Sequence, residues 1–178
     1  PSTTSVPPGT VVAFFPGLVH LPEFTVKNDY ITDNLLPDPD YMLILREDNT
    51  IIDSRTASEC PINPYGLAHY VNHVPQNGDA NVFQFPFDFP GDPLGIDQFP
   101  RKLCKYIPNE YAKKPTILGT VDRSAYMRGM ILMTTRPMHD GDELFMDYRL
   151  NSIILPKWYH AYDEKAFTSE ADKEARSK

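Results

Sequence analysis

The chain has 178 residues, a formal net charge of -7 and 41% hydrophobic residues, enough length and apolar content for one ordinary globular domain and too much for a disordered acidic tail. Eighteen prolines against nine glycines, with 12% aromatic residues, predict short strands and fixed bends and exclude a long-helix bundle. An acidic balance lacks the basic footprint that phosphate contacts need, so basic peptides rather than nucleic acids are the expected partners.

No window approaches 18 consecutive apolar residues, and no membrane association is expected. The chain opens at Pro1 without a methionine, which reads as a piece excised from a longer protein. Cys60 and Cys104 stand far apart with no Cys-x-x-Cys pattern, so neither a zinc knuckle nor a disulfide framework is expected. The compartment implied is reducing and intracellular: nucleus or cytoplasm, with an organelle left open.

In chain order, Thr10 to Phe15 is β-branched and aromatic and stops at Pro16-Gly17, a strand ending in a turn. Residues 28–40 carry Asx clusters and two prolines and read as a surface loop. Tyr41 to Arg46 and Thr50 to Asp53, separated by Glu47-Asp48-Asn49, predict a hairpin. Pro64 to Val74 places Leu67, Tyr70, Val71 and Val74 at helical spacing behind the cap candidate Asn63, which predicts a short helix ending at Asn72-His73.

Val82, Phe83, Phe85, Phe87 and Phe89 then mark a strand that Pro86 confines to an edge or a bulge, its aromatics serving as packing. Residues 90–115 read as an irregular insertion. Gly129 to Arg136 and Glu143 to Arg149 are apolar runs joined by Pro137 to Asp142, predicting strand, turn, strand. The last stretch, 163–178, holds five acidic and four basic residues and reads as a solvated helix or tail.

Three segments, Gly9 to Gly17, Asn63 to Asn81 and Arg136 to Arg149, resemble in order the pieces of a SET domain, the lysine methyltransferase fold. Asn72-His73, with Tyr70-Val71 before it and Ala80-Asn81-Val82 after it, resembles the family's Asn-His segment and its following Pro-Asn. Glu143-Leu144-Phe145-Met146-Asp147-Tyr148 resembles the closing Glu-Leu-x-x-Asp-Tyr. Asn63-Pro64, Tyr148-Arg149-Leu150 and Pro156-Lys157-Trp158-Tyr159 are similar to the branch of SET domain-containing protein 9.

The resemblance implies a mostly β, β-rich α+β fold of short sheets with few short helices and a C-terminal pseudoknot bringing Tyr148 beside Asn72. It implies a SET domain over 1–162, a charged tail over 163–178, and S-adenosylmethionine as cofactor. By the same resemblance Tyr148 is the catalytic residue; Asn72, His73 and Tyr70 bind the cofactor; Phe15, Phe145, Met146 and Trp158 line a substrate channel. Asp147 and Glu143 hold the strand. The implied partner is a lysine-bearing protein or peptide, a basic histone tail among the candidates.

The sequence departs from the family in lacking a Gly-x-Gly element within residues 1–8, in Val74-Pro75 after Asn-His, and in Met146. A SET fold without turnover, serving as a protein-interaction module, is therefore the alternative. Without the resemblance, Tyr148 reads as a core tyrosine and Asn72-His73 as helix-capping residues. His69 and His73 at helical spacing would be a two-histidine metal face, but no His-Glu-x-x-His pattern accompanies them and no metal is expected.

Overall fold

The computed structural model describes residues 5–25, 43–57, 63–90, 101–113, 125–150 and 157–159. The predicted loop at 28–40 and the charged tail at 163–178 lie outside them, as does Cys60. The described residues are strand-rich with several small sheets, the mostly β, SET-like class expected from the sequence. They fall into two compact units: Pro1–Thr10, Val71–Phe83 and Thr134–Lys178 form one, and Val11–Tyr70 with Gln84–Met133 the other.

The larger unit contains two sheets. Strand β2 (Val11–Phe14) pairs antiparallel with β9 (Ala125–Thr134), and β7 (Val82–Pro90) takes the other edge of β9. The edge position suits Pro86, which has no amide hydrogen for a ladder. Val82 is buried on one parity of β7, Phe87 and Phe89 pack against Phe14 on the other, and Phe85 and Pro86 between them are both exposed. The buried face therefore changes parity along β7. Phe83 and Phe85 are thus exposed, where the sequence had them as packing residues.

The second sheet has the order β4 (Leu43–Leu45), β5 (Ile51–Asp53), β3 (Gly17–His20), β8 (Asn109–Tyr111), with β8 parallel to β3 and the other pairs antiparallel. The predicted β4–β5 hairpin is formed. Its turn is closed by Arg46 N–H to Thr50 O (2.9 Å), by Thr50 N–H to the Asp48 carboxylate (3.0 Å), and by Asn49 in the left-handed region (φ 61°) that asparagine tolerates.

The region read as an irregular insertion instead supplies β8 and a short helix, α2 (Arg101–Cys104), after α1 (Pro22–Thr25) earlier in the chain. Three residues of Asn-Glu-Tyr carry no strand signal of their own, and pairing with β3 decides the matter. On the other side of β3, Gly17 permits the close approach of β5: its φ is 126°, and a Cβ would overlap the carbonyl of Asp53. Val19, Leu21 and Ile52 are fully enclosed at the centre of this sheet.

The predicted helix over 64–74 is corrected by the structure. Asn63 closes an Asx turn on the Tyr65 amide (2.9 Å), and only one 3-10 turn follows, at Ala68–Tyr70. Asn72–His73 is a strand, β6, because its backbone hydrogen bonds go to another strand rather than back along a helix. Leu67 and Tyr70 are exposed while Ala68, Val71 and Val74 are buried, so helical periodicity was fortuitous.

The smaller unit is built from two strand pairs. Strand β1 (Ser5–Val6) is antiparallel to β10 (Met138–His139), and β6 is parallel to β11 (Phe145–Met146). Both strands predicted over 129–149 are formed, the first within β9 and the second as β11. The turn residues Met138 and His139 pair with β1, and the second strand is cut to two residues by the Asx turn of Asp147 and the left-handed Arg149 (φ 50°). Thr134, 1% exposed, secures the N-terminal segment by donating to Pro7 O (2.8 Å) and accepting from Thr10 N–H (3.1 Å).

In the larger unit, Asp53 is buried and receives Arg55 Nε (2.9 Å) and Nη2 (2.7 Å) and the Arg55 amide (3.0 Å). Burial alone would raise its pKa, but the hydrogen bonds and charge of Arg55 outweigh it and hold the carboxyl below the ordinary range. Because the folded pKa is depressed, this group stabilises the fold above the ordinary carboxylate range, and the contribution fades as pH falls towards the depressed value. Asp53→Asn is expected to cost about 2 kcal/mol at neutral pH and to flatten the decline of stability between about pH 5 and pH 3, measured by urea denaturation across that range.

Candidate functional site

The residues that carry the family resemblance meet in the smaller unit. A two-residue parallel strand pair has too few ladder bonds to stand alone, and Asn81 supplies what is missing. Its Nδ2 donates to Glu143 O (2.8 Å) and its Oδ1 accepts from Phe145 N–H (2.8 Å), so the carboxamide acts as an extra peptide group against β11. Its own amide donates to Phe145 O (3.0 Å), and its carbonyl accepts from Thr135 N–H (2.9 Å). The residue is 2% exposed, so these bonds are shielded from water.

With β11 fixed, Val74 N–H bonds to Met146 O (3.1 Å) and the register sets Phe145 opposite Asn72 and Met146 opposite His73. Met146 is buried and Phe145 partly so. Asn72 is exposed, and its Nδ2 donates to Glu143 Oε1 at 3.0 Å. A carboxylate only accepts, so Glu143 orients the carboxamide through its nitrogen, and the Asn72 oxygen takes no part in that bond.

Tyr148 follows two residues after β11 and is held at both ends. Its amide donates to His73 Nδ1 (3.2 Å) and its hydroxyl donates to Val71 O (2.9 Å). Burial pushes the phenol above its ordinary pKa, the backbone amide of His73 pulling weakly the other way. The hydroxyl therefore stays protonated at neutral pH and offers lone pairs to a neighbour. Because Nδ1 accepts from an amide, the neutral His73 ring carries its proton on Nε2, an assignment made from the hydrogen-bond geometry.

Aromatic rings close around the imidazole. Tyr159 stacks on it (4.7 Å between centroids, 22° between planes), Tyr148 lies at 5.2 Å and Trp158 at 6.2 Å. Trp158 is also edge-on to Tyr148 at 6.1 Å and is half exposed. The His73 side chain is 4% exposed. Asp147 approaches Nδ1 at 4.0 Å and caps the Arg149 amide at 3.0 Å.

Of the residues picked out from the sequence, Asn72, His73, Phe145, Met146, Tyr148 and Trp158 thus lie in one unit. Phe15 and Tyr70 belong to the other. There Phe15 is buried, donating its amide to Met130 O (2.9 Å) and accepting from Asn109 Nδ2 (2.7 Å), and Tyr70 is exposed beside the His69 ring at 4.0 Å. Among the described residues no three His, Cys, Asp or Glu side chains gather as a metal site. The structural part of Asn81 and the stacking of Tyr159 on His73 were missed. An asparagine just ahead of an apolar strand was the only cue to the first.

These features now meet the comparison with known proteins. The chain is 28% identical over 163 residues to human SET domain-containing protein 9, covering 80% of this chain and 50% of that protein. It is 28% identical over 163 residues to the Pongo abelii protein of that name, covering 80% and 55%. The chain resembles SET-domain proteins. It spans about half the length of the curated relatives it matches. No family model matches. No solved structure matches.

Asn81→Ala removes both carboxamide bonds and leaves Phe145 N–H and Glu143 O without them, an expected loss of about 3 kcal/mol by urea denaturation. Asn81→Asp keeps an acceptor for Phe145 but sets a carboxylate oxygen against Glu143 O. A loss no smaller than that of Asn81→Ala is expected, which identifies the Nδ2 donor as essential.

Proposed function

We propose that this chain is the SET-domain part of an S-adenosylmethionine-dependent protein lysine N-methyltransferase. The observation that carries the reading is the direct hydrogen bond between His73 and Tyr148, 75 residues apart, in the unit where Glu143 holds the carboxamide of Asn72. The distant similarity to SET domain-containing protein 9 supports the same class.

The donor set fits such a cofactor: an exposed carboxamide held through its nitrogen by Glu143, next to half-buried aromatic surface. When bound, S-adenosylmethionine supplies an electrophilic methyl group on a sulfonium, and no metal or covalent enzyme intermediate is needed for the transfer. Asn72 Oδ1 would accept an N–H of the cofactor. Tyr148, its hydroxyl hydrogen already committed to Val71 O, offers its oxygen to the N–H of the incoming lysine amine and orients the amine lone pair for in-line attack.

Removal of the proton from a lysine amine, whose ordinary pKa is about 10.4, is favoured where aromatic walls exclude water and the cofactor carries positive charge. The raised pKa of Tyr148 makes it an acceptor in its neutral form rather than a phenolate base. The net charge of -7 favours basic protein segments as substrates, histone tails among them.

The test is calorimetric titration of S-adenosylmethionine into the folded chain, followed by methyl transfer to a mixed core-histone preparation. Wild type is expected to bind stoichiometrically, and Asn72→Ala to bind about tenfold more weakly. Tyr148→Phe should keep binding while the transfer rate drops about 10²- to 10³-fold. A folded chain that binds no cofactor would overturn the reading and leave an interaction module without turnover.

A further inference from the structure

The role of the His73 side chain is set by geometry that the family likeness does not supply. Strand β11 ends at Met146, so the amide of Tyr148 lies beyond the ladder, and its hydrogen goes to a side chain: His73 Nδ1 at 3.2 Å. The other end of the same residue is fastened to Val71 O, two positions before His73. Segment 71–73 therefore grips Tyr148 twice, once through a main-chain carbonyl and once through an imidazole.

Only the second grip is made by a side chain, and it needs an acceptor at the Nδ1 position. Around the ring stand Tyr148, Trp158 and Tyr159, with Asp147 Oδ1 at 4.0 Å from Nδ1.

We propose that His73 is a positioning residue: its imidazole holds the backbone of Tyr148 by accepting the amide hydrogen at Nδ1. Its consequence for catalysis rests on the methyltransferase reading, whereas the hydrogen bond does not.

The experiment is amide hydrogen exchange by NMR on the ¹⁵N-labelled 178-residue chain, with wild type, His73→Asn and His73→Gln compared at one pH. Asparagine places an oxygen where Nδ1 stands; glutamine reaches instead towards the Nε2 position. The protection factor of the Tyr148 amide is expected to survive in His73→Asn and to fall about fivefold to tenfold in His73→Gln.

Equal protection in wild type and His73→Gln would overturn the proposal, as would imidazole nitrogen shifts that place the neutral proton on Nδ1. Thermal melts of the variants identify any that fail to fold, and the wild-type nitrogen shifts decide the matter without them. In the core-histone assay, His73→Gln should lower kcat more than His73→Asn does. If wild type shows the protected amide but no methyl transfer, the positioning role stands and the proposed function falls.

Discussion

The buried carboxamide of Asn81 is the interaction on which the candidate site depends. Strands β6 and β11 contribute two residues each, far below the length at which a strand pair is stable in water. Asn81 lengthens the pairing by bonding both sides of Leu144, through Glu143 O and Phe145 N–H, while its own main chain bonds Phe145 O and Thr135 N–H. Its enclosure matters as much as its reach, because an amide left without those partners in a dry interior costs more than the bonds contribute when made.

From that clamp the remaining contacts follow in order. The register brings Glu143 to Asn72 and Met146 to His73, and the chain leaving β11 is then met by side-chain and carbonyl acceptors in place of a strand. Acidic residues in this unit serve local geometry: Asp142 receives the His139 amide at 2.7 Å, Asp147 the Arg149 amide, Glu143 the Asn72 carboxamide. Part of the net negative charge is thus structural.

The larger unit uses charge differently. Arg46, 6% exposed, binds Asp88 (2.6 Å), Asp48 (3.1 Å) and Gly129 O (2.8 Å), and Arg128 reaches Asp48 and Thr50. One guanidinium thereby joins the β4–β5 turn to β7 and β9 with charge-assisted bonds in a planar fork that lysine would not reproduce. Beside it, the Phe14, Phe87 and Phe89 rings supply the apolar share of the packing.

Composition determined the class of fold, since many prolines and aromatics among few glycines fit short strands and bends. Local chemistry determined the β4–β5 turn, where Asp48 and Asn49 need no distant partner, and the edge place of Pro86. Motif order singled out Asn72, His73 and Tyr148 as residues of interest. What tertiary structure decided was whatever rests on partners far along the chain: β8 exists through β3, and residues 72–73 are a strand through residues 145–146 despite their helical periodicity. The same holds for Asn81 and for the His73–Tyr148 bond, because hydrogen bonds spanning 64 and 75 positions leave no periodic trace in a sequence. Side-chain spacing encodes local backbone geometry, whereas the choice of a distant donor for a given acceptor is made only when the chain has closed around both.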